Sequence, residues 1–292
     1  VDAQPDEGPS GEKDYLMPLA RKKNAEIIEI GPHRLIRGDA LTVMRGMPPC
    51  SVDLIVTDPP YGHNNNNNGD LIHRWEVALG RGPAGEARAI ANDGVEADEV
   101  FRECLPEWKR LLRSGGCCCC CGGGGGPDPQ FARWSMWMNE VFDFKQMVVW
   151  DKGPMGMGWH YRRSYETVLV ASKPGGPCKW YDTTSQVENI IRPGWRGIRK
   201  IIPQADDHPA IKPVELMRLF IDLHSEPGDT VFDPFMGEGT TGIACAQAGR
   251  SFIGIELDEA HFAKARAQVW EAADYTGFAK VRNTAPLVRR LV

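Results

Sequence analysis

The chain has 292 residues, 42% hydrophobic and 25% charged, with a formal net charge of −5. That is an ordinary globular balance, long enough for a large core and about two domains at most. It excludes a disordered tail, a collagen-like repeat and a disulfide-stapled miniature, and no uninterrupted apolar window of about 18 residues offers a membrane span. The mild acidity argues against a nucleic-acid coat protein, yet an enzyme that visits DNA needs only a local basic face. Lys145–Lys200 holds ten Lys and Arg against four Asp and Glu, whereas the first twenty residues hold five acids against one Lys. The acidic start has no basic leader and no apolar signal core, which points to the cytoplasm.

Residues 1–22 read as a loose leader, and residues 23–173 as one half of an α/β unit. A helical stretch over 40–45 precedes Ser51–Thr57, a nearly continuous apolar run that suits a strand buried in a parallel sheet. Asp58-Pro59-Pro60-Tyr61 stops that strand, because neither proline can donate to a ladder. Residues 62–97, with the run Asn64–Asn68, read as a mobile surface loop beside the strand end. Residues 98–113 place Val100, Phe101, Cys104, Leu105, Trp108, Leu111 and Leu112 at helical spacing, with Ser114-Gly115-Gly116 as the expected stop. Cys117–Cys121 reads as a short buried strand, Gly122–Gly126 as its turn, 131–144 as a helix, and 146–150 and 167–171 as strands. Residues 174–207, rich in Gly, Pro, Arg and Trp, read as an insertion. Residues 208–292 form a second half: a helix over 214–225, strand Thr230–Asp233, a glycine loop to Gly242, a helix over 241–248, strand Ser251–Glu256 and a helix over 259–275.

Nine cysteines invite metal or disulfides. Five of them are consecutive, and neighbours in a strand point to opposite faces, so they cannot share one ion. The others are scattered, with no second CxxC and no His at ligand spacing. The expectation is no metal and small buried thiols in a reducing compartment.

Two constellations carry chemistry. Gly237-Glu-Gly239-Thr-Thr-Gly242 lies between a strand and a helix, and Glu256 ends the next strand. This fits a nucleoside-cofactor fingerprint: glycines for close approach, an acid for ribose hydroxyls. An NAD-linked oxidoreductase is therefore a competitor. Asp233 before the loop would face a pyrophosphate and repel it; S-adenosylmethionine has no phosphate and carries positive charge. The second constellation is Asp58-Pro59-Pro60-Tyr61. An exocyclic base amine is a poor nucleophile because its lone pair is delocalised. Acceptors at its N–H bonds, here the Asp58 carboxylate and the stiffly held Pro59 carbonyl, would make it more amine-like. Tyr61 would offer a face for stacking.

Leu54–Gly62, His208-Pro-Ala-Ile-Lys212-Pro213 and Phe232–Thr241 together resemble the amino-group DNA methyltransferases, in the beta order with the catalytic motif first. The resemblance covers about residues 35–270, weakest over 62–97 and 174–207. It implies an α/β, doubly wound, Rossmann-like fold with a seven-stranded, mostly parallel sheet with one reversed strand, and a small target-recognition insertion. It assigns Asp58, Pro59, Pro60 and Tyr61 to catalysis. Asp233, Phe235, Gly237 and Gly239 would line S-adenosylmethionine, Thr240 and Thr241 its methionine end, Glu256 its ribose and Lys212 its carboxylate. HPAIKP stands here where HPTQKP is common in the family, so side-chain contacts from Ala210 and Ile211 are not carried over. Asp39 resembles the strand-end acid near the adenine and is equally placed to cap the helix that follows. The variable segment 174–207 would read DNA through Lys179, Arg192, Arg196, Arg199 and Lys200, with Arg162 and Arg163 approaching the flipped base or its phosphates.

The reading is a DNA methyltransferase acting on the N6 amine of adenine in double-stranded DNA, in a bacterial or phage-infected cell, with no membrane partner. The N4 amine of cytosine is the alternative, since the same loop serves both and DPPY is only a tendency. More distant are the oxidoreductase and an inactive DNA-binding homologue. Oligomeric state stays open, although the family often dimerises.

Overall fold

The computed structural model describes residues 26–61, 96–122, 130–153, 164–192 and 212–275. Within them nine strands form a single sheet in the order β1-β2-β9-β8-β3-β4-β6-β5-β7. The strands are β1 Glu26–Ile30, β2 His33–Arg37, β3 Val52–Thr57, β4 Leu112–Gly122, β5 Asp143–Asp151, β6 Tyr165–Ser172, β7 Ile190–Ile191, β8 Thr230–Asp233 and β9 Ser251–Glu256. The helices are α1 Ala40–Gly46, α2 Ala97–Leu111, α3 Gln130–Val141, α4 Val214–His224, α5 Thr240–Ala248 and α6 Glu259–Tyr275.

The seven strands from β2 to β5 are the expected unit, with β6 alone antiparallel to its neighbours β4 and β5. Two edge strands add to it. β1 folds back antiparallel on β2, and the two-residue β7 joins β5. Both lay beyond sequence reasoning, since an edge strand needs neither a continuous apolar run nor a long one.

Three layers result. Helices α1, α2 and α3 bury Val43, Phe101, Trp108, Trp134 and Met138 on one face of the sheet. Helices α4, α5 and α6 bury Leu216, Phe220, Cys245, Phe262 and Val269 on the other. β3 is buried along its whole length, as a continuous apolar run between two helical layers should be. The cysteine run splits by the strand's period of two: Cys117, Cys119 and Cys121 join one core, Cys118 and Cys120 the other.

The α2–β4 boundary differs from expectation. The helix stops at Leu111 and β4 begins at once, so Ser114-Gly115-Gly116 lie inside the strand rather than capping the helix. Gly115 has φ +74 there, and a Cβ would strike the Pro177 carbonyl. A neighbouring backbone, not a helix end, demands this glycine.

From β8 the chain crosses to β9 on one side; from β3 it crosses to β4 on the other. The adjacent pair β3–β8 is thus where the winding reverses, the point at which a doubly wound sheet leaves a crevice outside the carboxyl ends of its strands. β6 runs the other way, so its first residues, Tyr165 and Glu166, reach the same edge.

A candidate active site at the reversal of the sheet

Asp58 follows the last residue of β3 and Pro59 is buried behind it. Its carboxylate is held from two sides. Lys212 Nζ lies 2.6 Å from Oδ2, and the Tyr61 hydroxyl donates to Oδ1. Lys212 also stands 3.1 Å from Glu166, whose other oxygen takes Lys152 at 2.6 Å. Two carboxylates therefore share one ammonium that is only 6% exposed. Burial alone would drive Lys212 toward its neutral form, but Asp58 and Glu166 reverse that and hold its pKa above the ordinary lysine value. Burial raises the Asp58 pKa, against the pull of Lys212. Glu166 feels the same burial, yet Lys212 and Lys152 together bring its carboxyl down to about 2.

Tyr61 is placed by aromatic packing and a backbone bond. Its ring meets Trp134 edge-on at 6.3 Å, and Trp134 stacks on Phe101 at 3.9 Å. The Gln130 amide donates to the Tyr61 carbonyl at 2.5 Å. Lys212 Nζ stands 5.1 Å from the Tyr61 ring centroid, a cation–π distance.

The glycine loop follows β8, the hydrogen-bonded neighbour of β3, at the same carboxyl edge of the sheet. Gly237 has φ +53, and a Cβ there would meet nothing within 4 Å, so the loop borders open space at that point. Its N–H donates to Glu256 at 3.0 Å, and the second Glu256 oxygen accepts from the Asp258 N–H at 2.7 Å. Burial lifts the Glu256 pKa against these donors. Gly239 is left-handed at φ +90 and opens α5; a Cβ would sit 3.0 Å from Ala265 of α6. The two glycines therefore differ in purpose: Gly237 borders the crevice and Gly239 lets a helix pack.

Asp233 does not line the crevice as expected. It is 2% exposed, and its oxygens accept from Thr57 and Thr241, both at 2.7 Å, and from the Phe235 N–H at 3.0 Å. Burial outweighs these donors and lifts its carboxyl to about 7. It braces the β8 loop against β3, which also removes the expectation that it would repel a pyrophosphate. Thr241 is committed to Asp233, while Thr240 and Phe235 are half-buried at the loop. Asp39 is exposed at the end of β2, one oxygen capping α1 through Thr42 N–H at 2.8 Å. The capping role of Asp39 is thus observed; capping uses one oxygen and leaves the residue on the edge that bears Glu256.

Lys212 is brought to the Asp58–Tyr61 loop rather than to the glycine loop. Lys179 is not brought to the site. Its ammonium lies 3.1 Å from Asp53 and 3.2 Å from Asp229, which begin β3 and precede β8 at the opposite edge of the sheet. The charge expected to meet phosphate is a strut beneath the sheet. Arg192 is exposed and pairs with Glu188. Arg162, Arg163, Arg196, Arg199 and Lys200, the segment His208–Ile211 and most of the 62–97 loop lie outside the described residues. Sequence reasoning missed Glu166, Lys152, Thr57, Gln130 and Trp134. Glu166 was findable only from the reversal of β6, which puts the start of that strand at the carboxyl edge of its neighbours.

A family model described as DNA methylase, N6/N4 type, matches residues 52–267. The DNA adenine methyltransferase YhdJ of Escherichia coli K12 is 28% identical over 290 residues, covering 88% of this chain and 90% of YhdJ. The crystal structure of M1.HpyAVI in complex with SAM superposes with a TM-score of 0.53 at 26% identity, over 80% of this chain and 98% of that one. The PvuII cytosine-N4-specific DNA methyltransferase has the same fold, with a TM-score of 0.59 at 19% identity over 84% of this chain and 92% of that one.

Proposed function

The chain belongs to the N6/N4 DNA methylase family, and on that premise we propose that it transfers a methyl group from S-adenosylmethionine to the N6 amine of adenine in double-stranded DNA. The relative YhdJ, a DNA adenine methyltransferase, supports the choice of base. The observation that carries the reading is that Asp58 and the glycine loop leave the carboxyl ends of β3 and β8, hydrogen-bonded neighbours at the reversal of the sheet.

The crevice fits the donor. Asp39 and Glu256 end adjacent strands, with Arg37 opposite Glu256 in register, so two carboxylates meet a nucleoside that has no phosphate. Gly237 leaves open space for it, and Phe235 supplies a half-buried apolar face. Glu256 would hold the ribose hydroxyls and Asp39 the adenine edge. When bound, S-adenosylmethionine supplies an electrophilic methyl group on a positively charged sulfur.

The chain's own residues make the amine a nucleophile. A flipped adenine presents two N6–H bonds. Asp58 accepts one and the Pro59 carbonyl the other, which draws the nitrogen lone pair out of the ring as the bond to carbon forms. Lys212 opposes the rise that burial imposes on the Asp58 pKa and aims its carboxylate. Both Asp58 oxygens are engaged by Lys212 and Tyr61, so base entry displaces the Tyr61 hydroxyl and frees its ring to stack. The amine proton leaves after transfer, to Asp58 or to water.

The test is methyl transfer from labelled S-adenosylmethionine to unmethylated DNA, followed by nucleoside digestion and mass spectrometry. N6-methyladenine supports the proposal; N4-methylcytosine keeps the chemistry and overturns the base. Asp58→Ala should lower transfer by at least about 10²–10³-fold, the scale of losing one aligned polar group, while cofactor affinity stays within a factor of a few. Loss of cofactor binding without a separate chemical defect removes Asp58 from catalysis.

A further inference from the structure

A second cluster of reactive groups lies away from the crevice. Cys117 of β4, Cys178 and His224 at the end of α4 bring their donor atoms within 4.8 Å of one another. Cys117 sits three residues before Cys120, which pairs with Thr57, so the cluster lies about 10 Å down the strand from the level of the catalytic loop. The strap that follows β6 creates the contact. Lys173 N–H donates to Gly116 O at 2.9 Å and Lys179 N–H to Gly115 O at 3.1 Å. Gly115 and Gly176 let the strap approach, because a Cβ on either would strike Pro177 or Ser114. The Cys117 and Cys178 sulfurs are thereby 2.9 Å apart, and His224 Nδ1 is 2.9 Å from the Lys179 carbonyl.

We propose that Cys117 and Cys178 form a reversible disulfide when the protein meets a peroxide, with Cys178 oxidised first. The separation decides against a shared metal. Two thiolates on one tetrahedral zinc stand about 3.7 Å apart, from Zn–S bonds of about 2.3 Å. Among the described residues the cluster also offers three donors, whereas a closed structural zinc site takes four. A disulfide needs only a modest further approach, to about 2.05 Å.

Cys178 is the half-buried partner that a small oxidant reaches, and Cys117 is fully buried. Donation from the Cys117 thiol, helped by His224, lowers the Cys178 pKa below the ordinary thiol value and so favours its thiolate. The Cys178 thiolate attacks one peroxide oxygen, the O–O bond breaks, and sulfur gives up two electrons. The products are Cys178 sulfenic acid and hydroxide. Cys117 then attacks the Cys178 sulfur; the S–S bond forms, the S–O bond breaks, and the Cys117 proton leaves with that oxygen as water. The sum is two thiols and one hydrogen peroxide giving one disulfide and two waters. A dithiol reductant reverses it. The bond fastens the strap between β6 and β7 to the centre of the sheet, independently of what the crevice binds.

The experiment treats the reduced full-length chain with a slight excess of hydrogen peroxide, blocks the remaining thiols, and maps peptides without reduction. The expected result is a Cys117–Cys178 linked pair, short of two hydrogens and released by dithiothreitol. Cys178→Ser should abolish it. In Cys117→Ser, Cys178 should persist as a sulfenic acid that dimedone traps, which separates Cys117 from its neighbours in the run. The oxidised protein should melt several degrees above the reduced one, the long closed loop being lost from the unfolded chain. Oxidation confined to Cys50, or random pairing among the run, overturns the proposal. So does one equivalent of zinc that protects both thiols and is lost in Cys178→Ser; that outcome makes the cluster a metal site.

Discussion

Asp58, Glu166 and Lys212 form one electrostatic unit, and changing one member retunes the others. Lys212 lies 2.6 Å from Asp58 and 3.1 Å from Glu166. Replacing it with Met would leave two carboxylates facing each other in a partly buried site, and one would hold its proton to higher pH. Asp58 already titrates above its ordinary value through burial, with Lys212 opposing that rise. Lys212→Met should therefore move the acid limb of the kcat profile upward by at least about one pH unit. A lower kcat with an unmoved limb shows that Lys212 does not set the Asp58 charge. Asp58 itself was legible in the sequence, because two prolines after an apolar run fix where the strand ends. The partners were not legible. Lys212 stands 154 residues away and Glu166 lies on another strand, so the shared charge exists only after folding. Asp233 shows the converse: its position at the strand end was readable, but its direction, into Thr57 and Thr241, depends on hydroxyls from two other elements.

Among elements, the glycine loop and α5 depend most sharply on one residue. Gly239 combines φ +90 with contact between its would-be Cβ and Ala265 at 3.0 Å. Gly239→Ala carries both a left-handed backbone cost and a steric one, together about 2–4 kcal/mol. We expect that loss in chemical denaturation, with weaker cofactor binding as the loop shifts. A change within about 0.5 kcal/mol would mean that α6 yields freely. Strands β3, β8 and β9 and helices α4, α5 and α6 follow sequence periodicity within a residue or two. Continuous apolar runs and amphipathic stripes carry that information locally. β4 does not, because its first five residues look like a helix end and a glycine cap. Their extended conformation is imposed by β3 and by the strap laid across them.

For the whole molecule, the swap of motif order leaves the architecture intact, since the reversal at β3–β8 needs only adjacent strand ends, whichever half comes first. The seven-stranded unit was readable through family resemblance, whereas the order of pairing rests on contacts between distant segments. Acid stability is a property at this scale. His33 is 1% exposed at the start of β2, and burial lowers its pKa to about 4. Among the described residues neither ring nitrogen has a partner. The unfolded chain takes up this proton near pH 6.5 and the folded one only near 4. Stability is therefore lost as pH falls through that window, by about 3 kcal/mol. Asp233, raised to about 7, works in the opposite sense as pH falls from there toward its unfolded value, so the wild-type curve alone does not isolate His33. His33→Leu should gain on wild type by about 2.4 kcal/mol between pH 7 and pH 4.5 in urea titrations. A pH-independent difference would show that His33 is not held neutral.

Strand β4, paired on both sides, gives the protein an internal record of its own opening. Cys118, Cys119 and Cys120 are 0% exposed and Cys121 is 2% exposed, with β3 on one side and β6 on the other. Burial pushes all four thiols above the ordinary range, so they are uncharged and out of reach while the sheet is closed. Under reducing conditions an alkylating reagent should mark exposed Cys50 at once and these four together, at a rate set by global unfolding. Counting labelled molecules by mass over time would yield a folding free energy without denaturant. Stepwise labelling of the four would show instead that β4 leaves the sheet piecemeal.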